Sequence, residues 1–187
     1  MSNKVIIIAE AGVNHNGDIN LAKKLIEKAA HAGADYVKFQ TFKAKNLVSK
    51  TARKADYQIK NSNDGNDTQF QMLKNLEMPF EWHFELKDYA EKLGINFLST
   101  GFDEEAIDFL NKLGVDLFKI PSGEITNKPY LIDVATKGKS IILSTGMATL
   151  EEVRDAVDIL VAHGINKKTI TVLHCNTEYP TPMKDVN

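Results

Sequence analysis

The chain has 187 residues, of which 43% are hydrophobic and 26% are charged, and its formal net charge is -2 at pH 7. This is the composition of an ordinary globular protein, and the length predicts one domain with a sizeable core. The balanced charge argues against a nucleic-acid partner or an anionic membrane surface, and no apolar run reaches the roughly 20 residues of a membrane span.

The chain opens with a predicted strand and helix. An apolar run at about Val5 to Glu10 predicts the strand, and a loop rich in glycine and asparagine follows it. Asp18 is a good N-cap for a helix whose apolar residues recur every three or four positions. Gly33 ends that helix, and a second strand runs through Lys38 to Gln40.

The segment at about 41–78 breaks this pattern, because it is rich in Lys, Asn, Asp and Gln. Within it, only the stretch at Gln69–Leu76 predicts a helix. A connection of this length inside a compact domain is typically a functional loop or an insertion. We interpret it as a long insertion that acts as a lid, and a plain surface excursion is the alternative.

From Pro79 onward, predicted helices and strands alternate regularly, and each helix has a capping residue at its start or a glycine at its end. The helices run from about Phe80 to Gly94, from Asp103 to Gly114, from Asn127 to Gly138, and from the capping box Thr149–Glu152 to Gly164. Continuous apolar strands follow these glycines, as in parallel sheets that are buried on both faces.

The six predicted strands share one feature, which is a polar ending. The endings are Glu10, Lys38–Gln40, Ser99–Gly101, Lys119–Glu124, Ser144–Gly146 and His174–Asn176. A (β/α)8 barrel builds its active site from the carboxyl ends of its strands, whereas a doubly wound sheet normally carries a G-x-G-x-x-G fingerprint, which this sequence lacks. We therefore predict an α/β fold, a TIM barrel truncated to about six βα units over residues 1–187.

Lys38 and Lys119 lie at the ends of two different predicted strands. A lysine in such a position binds phosphate as a point charge or, when desolvated, forms a Schiff base with a carbonyl substrate. A salt bridge to Glu10 or Glu124 is the purely structural alternative. The strand-end hydroxyls that accompany the lysines belong to Ser99, Thr100, Ser122 and Ser144. This combination favours an anion-binding site.

Glu10 and Glu124 are the carboxylates predicted at the same strand ends. They are candidates for proton transfer or for orienting metal-bound water, with a solvated loop position as the alternative. Gln40 and Tyr179 are neutral hydrogen-bonding groups suited to a polyhydroxylated substrate.

Histidine gives only a weak metal signal. His15 and His174 lie at strand ends or in the following loop, but two histidines without fixed spacing do not define a site. His31, His83 and His163 fall on predicted helices, where we expect surface positions.

Five motifs occur in the order found in one enzyme family. They are residues 8–17 (IAEAGVNHNG), 37–40 (VKFQ), 119–124 (KIPSGE), 143–147 (LSTGM) and 174–182 (HCNTEYPTP). Together they resemble the sialic acid synthase family, which comprises the N-acetylneuraminate synthases and their bacterial legionaminate and pseudaminate relatives. The resemblance covers essentially the whole chain and corresponds to the N-terminal barrel portion of these enzymes.

The resemblance implies condensation of phosphoenolpyruvate with an N-acetylated hexosamine, N-acetylmannosamine or a bacterial analogue. The products would be a nine-carbon sialic-acid-type 2-keto sugar acid and phosphate. The residues implied to bind the phosphate and carboxylate of phosphoenolpyruvate are Lys38, Thr100, Lys119, Ser122 and Ser144. Those implied to face the sugar are Gln40, Phe102 and Tyr179. Glu10 would help to place a metal-bound water.

The resemblance also implies a divalent metal, Mn2+ or Mg2+, whose ligands are not in this chain. It further implies a C-terminal antifreeze-like domain and a homodimer in the full-length form. The last two βα units and that domain are absent from the sequence, so we expect activity of the full-length protein rather than of this chain alone. Cys175 is the single cysteine, which favours a reducing, cytoplasmic location.

One position departs from the family pattern. In some relatives an asparagine that contacts phosphate occupies the position of Thr177, and here Asn176 lies one place earlier, so both residues are candidates for substrate binding. Two other functions remain open. One is a Schiff-base (class I) aldolase acting through Lys38 or Lys119, and the other is a non-catalytic barrel fragment that binds sugar or phosphate.

Overall fold

The computed structural model describes residues 5–52, 68–178 and 181–186. The strands are β1 (Ile8–Gly12), β2 (Tyr36–Thr41), β3 (Asn96–Gly101), β4 (Leu117–Ile120), β5 (Ser140–Ser144) and β6 (Ile170–Leu173). The helices are α1 (Ile19–His31), α2 (Ala44–Leu47), α3 (Gln69–Leu76), α4 (Phe80–Lys92), α5 (Glu104–Leu113), α6 (Lys128–Thr136) and α7 (Leu150–Ala162). Short 3-10 turns cover Ser122–Glu124, Lys167–Thr169 and Met183–Asp185. The centre of the predicted lid lies outside the described residues.

These strands form two three-stranded sheets, with the orders β1-β2-β3 and β4-β5-β6. β1 pairs in parallel with β2, and β5 pairs in parallel with both β4 and β6. The prediction of an α/β fold with parallel strands is therefore confirmed, while the finer prediction of a barrel stays a prediction. None of the helices in the described ranges is long and apolar enough to cross a membrane.

The chain divides into two compact units, residues 1–97 and 98–187. In the first unit, α1 packs against β1, β2 and α4. The Asp18 side chain caps α1 as predicted, because it accepts hydrogen bonds from the backbone N–H groups of Asn20 and Leu21. The fully buried Ile26 of α1 and Phe39 of β2 belong to the core of this unit.

In the second unit, α6 packs against both α5 and α7. The three predicted caps are confirmed: Asp103 caps α5, Asn127 caps α6, and Thr149 forms a capping box with Glu152 at the start of α7. The largest fully buried side chains here include Ile107, Leu110, Phe118, Ile120, Leu131 and Ile141. Local capping chemistry thus fixes where each helix of this unit begins.

Two strand expectations need correction. The first strand begins at Ile8 rather than at Val5, and Val5 is 73% exposed. No residue of β6 is buried, and Val172 is 46% exposed, so burial on both faces does not hold for this strand. Instead, β6 and α7 line an open groove of about 300 Å³ with apolar side chains that include Leu150 and Val157.

Candidate functional site

The first cluster lies at the ends of β1 and β2. Glu10 and Lys38 are direct partners in the parallel register, and the Lys38 Nζ atom lies 2.6 Å from Glu10 Oε2. The lysine side chain is only 12% exposed, whereas the carboxylate side chain is 54% exposed. The salt bridge proposed as the structural alternative for Lys38 therefore exists. The Glu10 carboxylate in this pair remains open to solvent.

Gly12 provides the space that Glu10 and Gln40 need. The register shifts between Glu10 and Gly12, where φ of the glycine is +54°. A Cβ atom at this position would lie 3.2 Å from Glu10 Oε1 and 3.8 Å from Gln40 Nε2. Glu10, Lys38, Gln40 and Gly12 form what we call the β1–β2 cluster. It places a carboxylate, an ammonium and an amide side by side, which suits binding and proton transfer on a polar substrate.

The second cluster lies after β4, β5 and β6 and is organised around Gly146. The backbone N–H of Gly146 donates a hydrogen bond to Ser122 Oγ at 2.8 Å. A Cβ atom on Gly146 would lie 3.0 Å from Ser122 Oγ and 2.7 Å from Thr177 Cγ2. The sequence predicted Ser122 and Thr177 as substrate-binding residues but used Gly146 only as the end of a strand. The close packing requires glycine there.

Ser144 and Cys175 extend this second cluster. Ser144 is 7% exposed, and the Cys175 thiol lies 3.5 Å from its Oγ as a donor. The Thr145 hydroxyl donates to the Leu173 carbonyl at 2.7 Å and so ties the end of β5 to β6. We call Ser122, Ser144, Gly146, Cys175 and Thr177 the β4–β6 cluster.

Each of the two serines of the β4–β6 cluster accepts a hydrogen bond from another group of the protein. Ser122 Oγ accepts from a backbone N–H, and Ser144 Oγ accepts from a thiol. Neither bond uses the hydroxyl hydrogen of the serine, so among the described residues each serine keeps an O–H group that can donate. Two O–H donors at neighbouring strand ends are suited to anionic oxygens, in keeping with the predicted anion site.

Lys119 lies on β4, in the strand before Ser122, and its side chain is largely withdrawn from solvent. The residue is 9% exposed, and Nζ donates to the Ile120 carbonyl at 2.9 Å. This backbone bond helps to hold the ammonium group in place near the end of β4.

The other predicted site residues take more local roles. Thr100 is 2% exposed on β3, and Phe102 is half-buried just after it. Glu124 Oε2 accepts from Asn127 Nδ2 at 2.6 Å, and Asn176 Oδ1 accepts from the Glu178 backbone N–H at 2.7 Å. Asn176 is thus engaged in its own turn, while Thr177 contacts Gly146. Tyr179 lies outside the described residues.

The burial of the three helical histidines differs from the prediction at one position. His31 and His163 are exposed as expected, but His83 is fully buried, so its predicted surface position is wrong. Its Nε2 lies 2.7 Å from Thr41 Oγ1, and its Nδ1 lies 3.0 Å from the Pro79 carbonyl oxygen. A sequence signal did exist, because His83 shares one helical face with the buried Leu86 and Ala90 at spacings of three and four.

His15 is also fully buried, in the loop after β1. Its Nδ1 accepts from the Gly17 N–H at 3.1 Å, and its Nε2 has no hydrogen-bond partner in the described part of the chain. The ring lies between Phe39 and Trp82, with centroid distances of 6.4 and 6.5 Å. Burial lowers the pKa of His15. A histidine packed in this way among aromatic side chains belongs to the core of the first unit.

A metal site does not form from the residues at hand. Within residues 5–52, 68–178 and 181–186, no three His, Cys, Asp or Glu side chains group closely enough to hold an ion. The Glu10 carboxylate is engaged by Lys38, and one nitrogen of His15 is engaged by Gly17. The donor set therefore does not fit a divalent cation. That the ligands lie elsewhere in a longer protein stays a prediction.

Comparison with known proteins places this geometry in context. The model of the NeuB family matches residues 25–187. The chain is 58% identical over 185 residues to an N,N'-diacetyllegionaminic acid synthase of Campylobacter jejuni and 55% identical over 183 residues to one of Legionella pneumophila. These matches cover 98% and 97% of the chain but only 55% and 51% of the two relatives. The chain thus spans about half the length of these relatives.

Among solved structures, an N-acetylneuraminic acid (sialic acid) synthetase of Leptospira borgpetersenii, crystallised in complex with citrate, superposes with a TM-score of 0.84. It is 33% identical, and the match covers 99% of the chain and 59% of the solved chain. The fold described above is therefore similar to that of a known sialic acid synthetase over nearly every residue of the chain.

Proposed function

Since the chain belongs to the NeuB family, we propose that the protein carrying it condenses phosphoenolpyruvate with an N-acetylated six-carbon amino sugar. The products are a nine-carbon 2-keto sugar acid and inorganic phosphate. The observation that carries the proposal is the identity of 58% over 98% of the chain to a relative named N,N'-diacetyllegionaminic acid synthase. In this proposal the strands continue into a complete barrel in the longer protein, and the enzyme is cytoplasmic and homodimeric.

We propose that the acceptor carries two acetamido groups. The two relatives of highest identity cited above are named for a diacetylated product, whereas the sialic acid synthetase structure is only 33% identical. Phosphoenolpyruvate contributes three carbons and no nitrogen to a nine-carbon product. Both acetamido groups of such a product must therefore come from the six-carbon sugar.

The β4–β6 cluster supports a role in binding phosphoenolpyruvate. Ser122 and Ser144 accept hydrogen bonds from the protein and keep their O–H donors, as a site for phosphate or carboxylate oxygens requires. Lys119 adds a buried positive charge on β4. Fixed donors of this kind stabilise negative charge that develops on the oxygens of an intermediate, because they need no reorganisation during the reaction.

The β1–β2 cluster supports a role in proton transfer and in sugar binding. Glu10 is half-exposed beside Lys38, so its carboxylate reaches solvent while its position is fixed by the ion pair. We assign to Glu10 the orientation of the attacking water, to Lys38 binding of an anionic substrate oxygen, and to Gln40 hydrogen bonding to the sugar. Thr100, Phe102, Thr177 and Tyr179 complete the proposed substrate contacts. Manganese or magnesium, held outside the described residues, would polarise the sugar aldehyde when bound.

The test is sugar-dependent release of phosphate from phosphoenolpyruvate by the full-length protein. We expect faster release with a diacetamido hexose than with N-acetylmannosamine, and dependence on a divalent cation. Ser122→Ala and Ser144→Ala should each raise the KM for phosphoenolpyruvate roughly 10- to 100-fold, the range for lost hydrogen bonds to a charged group. Gly123→Ala is the matched control, since an added Cβ at Gly123 meets no atom within 4 Å.

Two results would overturn this proposal. One is the absence of phosphate release with every N-acetylated acceptor. The other is covalent attachment of a keto acid to Lys38 or Lys119 after borohydride reduction, which would indicate Schiff-base chemistry instead. The two relatives cited above do not support the aldolase alternative, because both are named as acid synthases.

A further inference from the structure

The two faces of β2 carry different kinds of side chain. Lys38 and Gln40 are half-buried on one face, where they belong to the β1–β2 cluster. Val37, Phe39 and Thr41 alternate with them and are completely buried on the other face. Because successive strand residues point in opposite directions, the packing behind the buried face determines where the functional face lies.

Aromatic contacts and a polar bond hold the buried face of β2. Phe39 stacks on Phe97, with 5.7 Å between ring centroids and 20° between planes. At the end of the strand, Thr41 Oγ1 lies 2.7 Å from His83 Nε2 on α4. The His83 ring also packs edge-on against Phe97 at 6.2 Å. The polar bond sits one residue beyond Gln40, at the point where β2 ends.

The direction of the Thr41–His83 bond follows from the second ring nitrogen. The Pro79 carbonyl 3.0 Å from Nδ1 can only accept, so Nδ1 carries the hydrogen. In the neutral ring Nε2 is then an acceptor, and the Thr41 hydroxyl donates to it. The pKa of His83 is lowered to about 4, chiefly by burial; the Pro79 carbonyl and Glu81 oppose this shift, whereas Lys43 and His15 add to it. The ring is therefore neutral at pH 7.

The residues that follow Thr41 also contact α4 and the residues just before it. Lys43 Nζ lies 4.3 Å from the centroid of the Phe80 ring, at the start of α4. The Ala44 backbone N–H donates to Glu77 Oε1 at 2.6 Å. Together with the Thr41–His83 bond, these contacts fix the chain immediately after β2 over four residues.

We propose that His83 is a positioning residue, which acts through the Thr41 hydroxyl to hold the end of β2 so that Lys38 and Gln40 keep their places in the β1–β2 cluster. The inference rests on the proposed function for its kinetic consequence. Its structural consequence, the placement of Lys38 and Gln40, exists in the ligand-free protein. His83 touches no reacting atom in this assignment, so it is not a catalytic residue.

The test uses three variants of the full-length protein. Thr41→Val removes the hydroxyl with little change in volume, and Thr41→Ser keeps it. Ile26→Val is the matched control, because it removes one buried methyl group from the core of the same unit and no hydrogen-bonding atom of Thr41 or His83. Melting temperatures of Thr41→Val and Ile26→Val measure how far each variant is destabilised, so that a loss of activity can be compared at known stability.

For a positioning role we expect Thr41→Val to lose roughly 10- to 100-fold in kcat/KM, the penalty typical of an approximately 1 Å misplacement. Thr41→Ser should retain most of the activity, and Ile26→Val should retain all of it. Equal activity of Thr41→Val and Ile26→Val would overturn the proposal. So would equal losses in Thr41→Val and Thr41→Ser, since the hydroxyl would then be irrelevant.

A second readout separates this inference from the proposed function. NMR signals of the Lys38 side chain and the Gln40 amide, recorded without ligand, should shift in Thr41→Val and stay unchanged in Ile26→Val. Unchanged signals in Thr41→Val would overturn the positioning role even if the enzyme turns over its substrates. Shifted signals would support it even if no acceptor sugar releases phosphate.

Discussion

Replacing Gly146 with alanine tests the geometry of the β4–β6 cluster directly. The φ angle of Gly146 lies outside the left-handed region, so alanine is compatible with the backbone and any effect comes from the added Cβ. That atom would lie 2.7 Å from Thr177 Cγ2, about 1 Å inside the optimal carbon–carbon separation. It would also lie 3.0 Å from Ser122 Oγ, the acceptor of the Gly146 N–H.

The magnitude follows from these two contacts. Overpacking by one methyl group typically costs about 1–3 kcal/mol, and loss of the hydrogen bond to Ser122 adds about 0.5–1.5 kcal/mol. We therefore expect Gly146→Ala to lower the free energy of unfolding by about 2–4 kcal/mol. In a chain of this size, each 1 kcal/mol corresponds to a fall of about 2–4 °C in melting temperature.

Urea denaturation followed by circular dichroism measures this loss, and Gly123→Ala is the control in open space. Thr177→Ser removes the Cγ2 atom that the new Cβ meets. The double variant Gly146→Ala/Thr177→Ser should thus recover about 1 kcal/mol or more beyond additivity, as contacting residues do in double-mutant cycles. The steric reasoning would be refuted if Gly146→Ala were as stable as Gly123→Ala, or if Thr177→Ser gave no recovery.

Three further predictions concern buried or capping groups. Burial holds the pKa of His83 near 4, below its usual 6.5, so the unfolded chain binds the proton first as pH falls. Up to about 3 kcal/mol of stability present above pH 6.5 is therefore lost between pH 6.5 and 4, and a His83→Gln variant should show a flatter urea midpoint over this range. Thr149→Ala removes the Oγ1 atom that accepts from the Glu152 N–H and leaves the bond from the Thr149 N–H to Glu152 Oε2; it should cost about 1 kcal/mol in urea denaturation, whereas Thr149→Ser should cost less. Tyr130→Phe leaves the buried Gly101 carbonyl without its 2.7 Å hydroxyl donor and should cost about 1–3 kcal/mol by the same measurement; a loss under 0.3 kcal/mol would contradict the bond.

Helix boundaries were predictable from the sequence because their causes are local. Asp18 and Thr149 each bind N–H groups two or three positions ahead, so the capping residue and the groups it satisfies are read from one short stretch. The helix at Gln69–Leu76 was predicted with the bounds that the structure shows. The alternation of helices and parallel strands follows from the same local periodicity.

The roles of His83 and Gly146 were not predicted, because they depend on contacts between residues far apart in the sequence. His83 is separated from Thr41 by 42 positions, and no local pattern on β2 indicates that a histidine closes its end. The role of Gly146 depends on Thr177 and Ser122, which lie on other strand ends. The sequence therefore predicts which individual strand-end residues are candidates for the site. The packing and the hydrogen bonds between these residues depend on the folded sheet and cannot be predicted from local patterns.

The Glu10–Lys38 pair has a consequence for how β1 and β2 find each other during folding. The two residues are opposite one another in the parallel register, so their charges meet only when the strands are aligned as observed. A slip by one residue would set the Glu10 carboxylate against Val37 or Phe39, which occupy the apolar face. An uncompensated charge there is strongly unfavourable, which disfavours the slipped pairing before the helices pack. Glu10 and Lys38, proposed above to contact the substrate, thus also select the correct strand alignment, and their replacement by alanine should slow refolding.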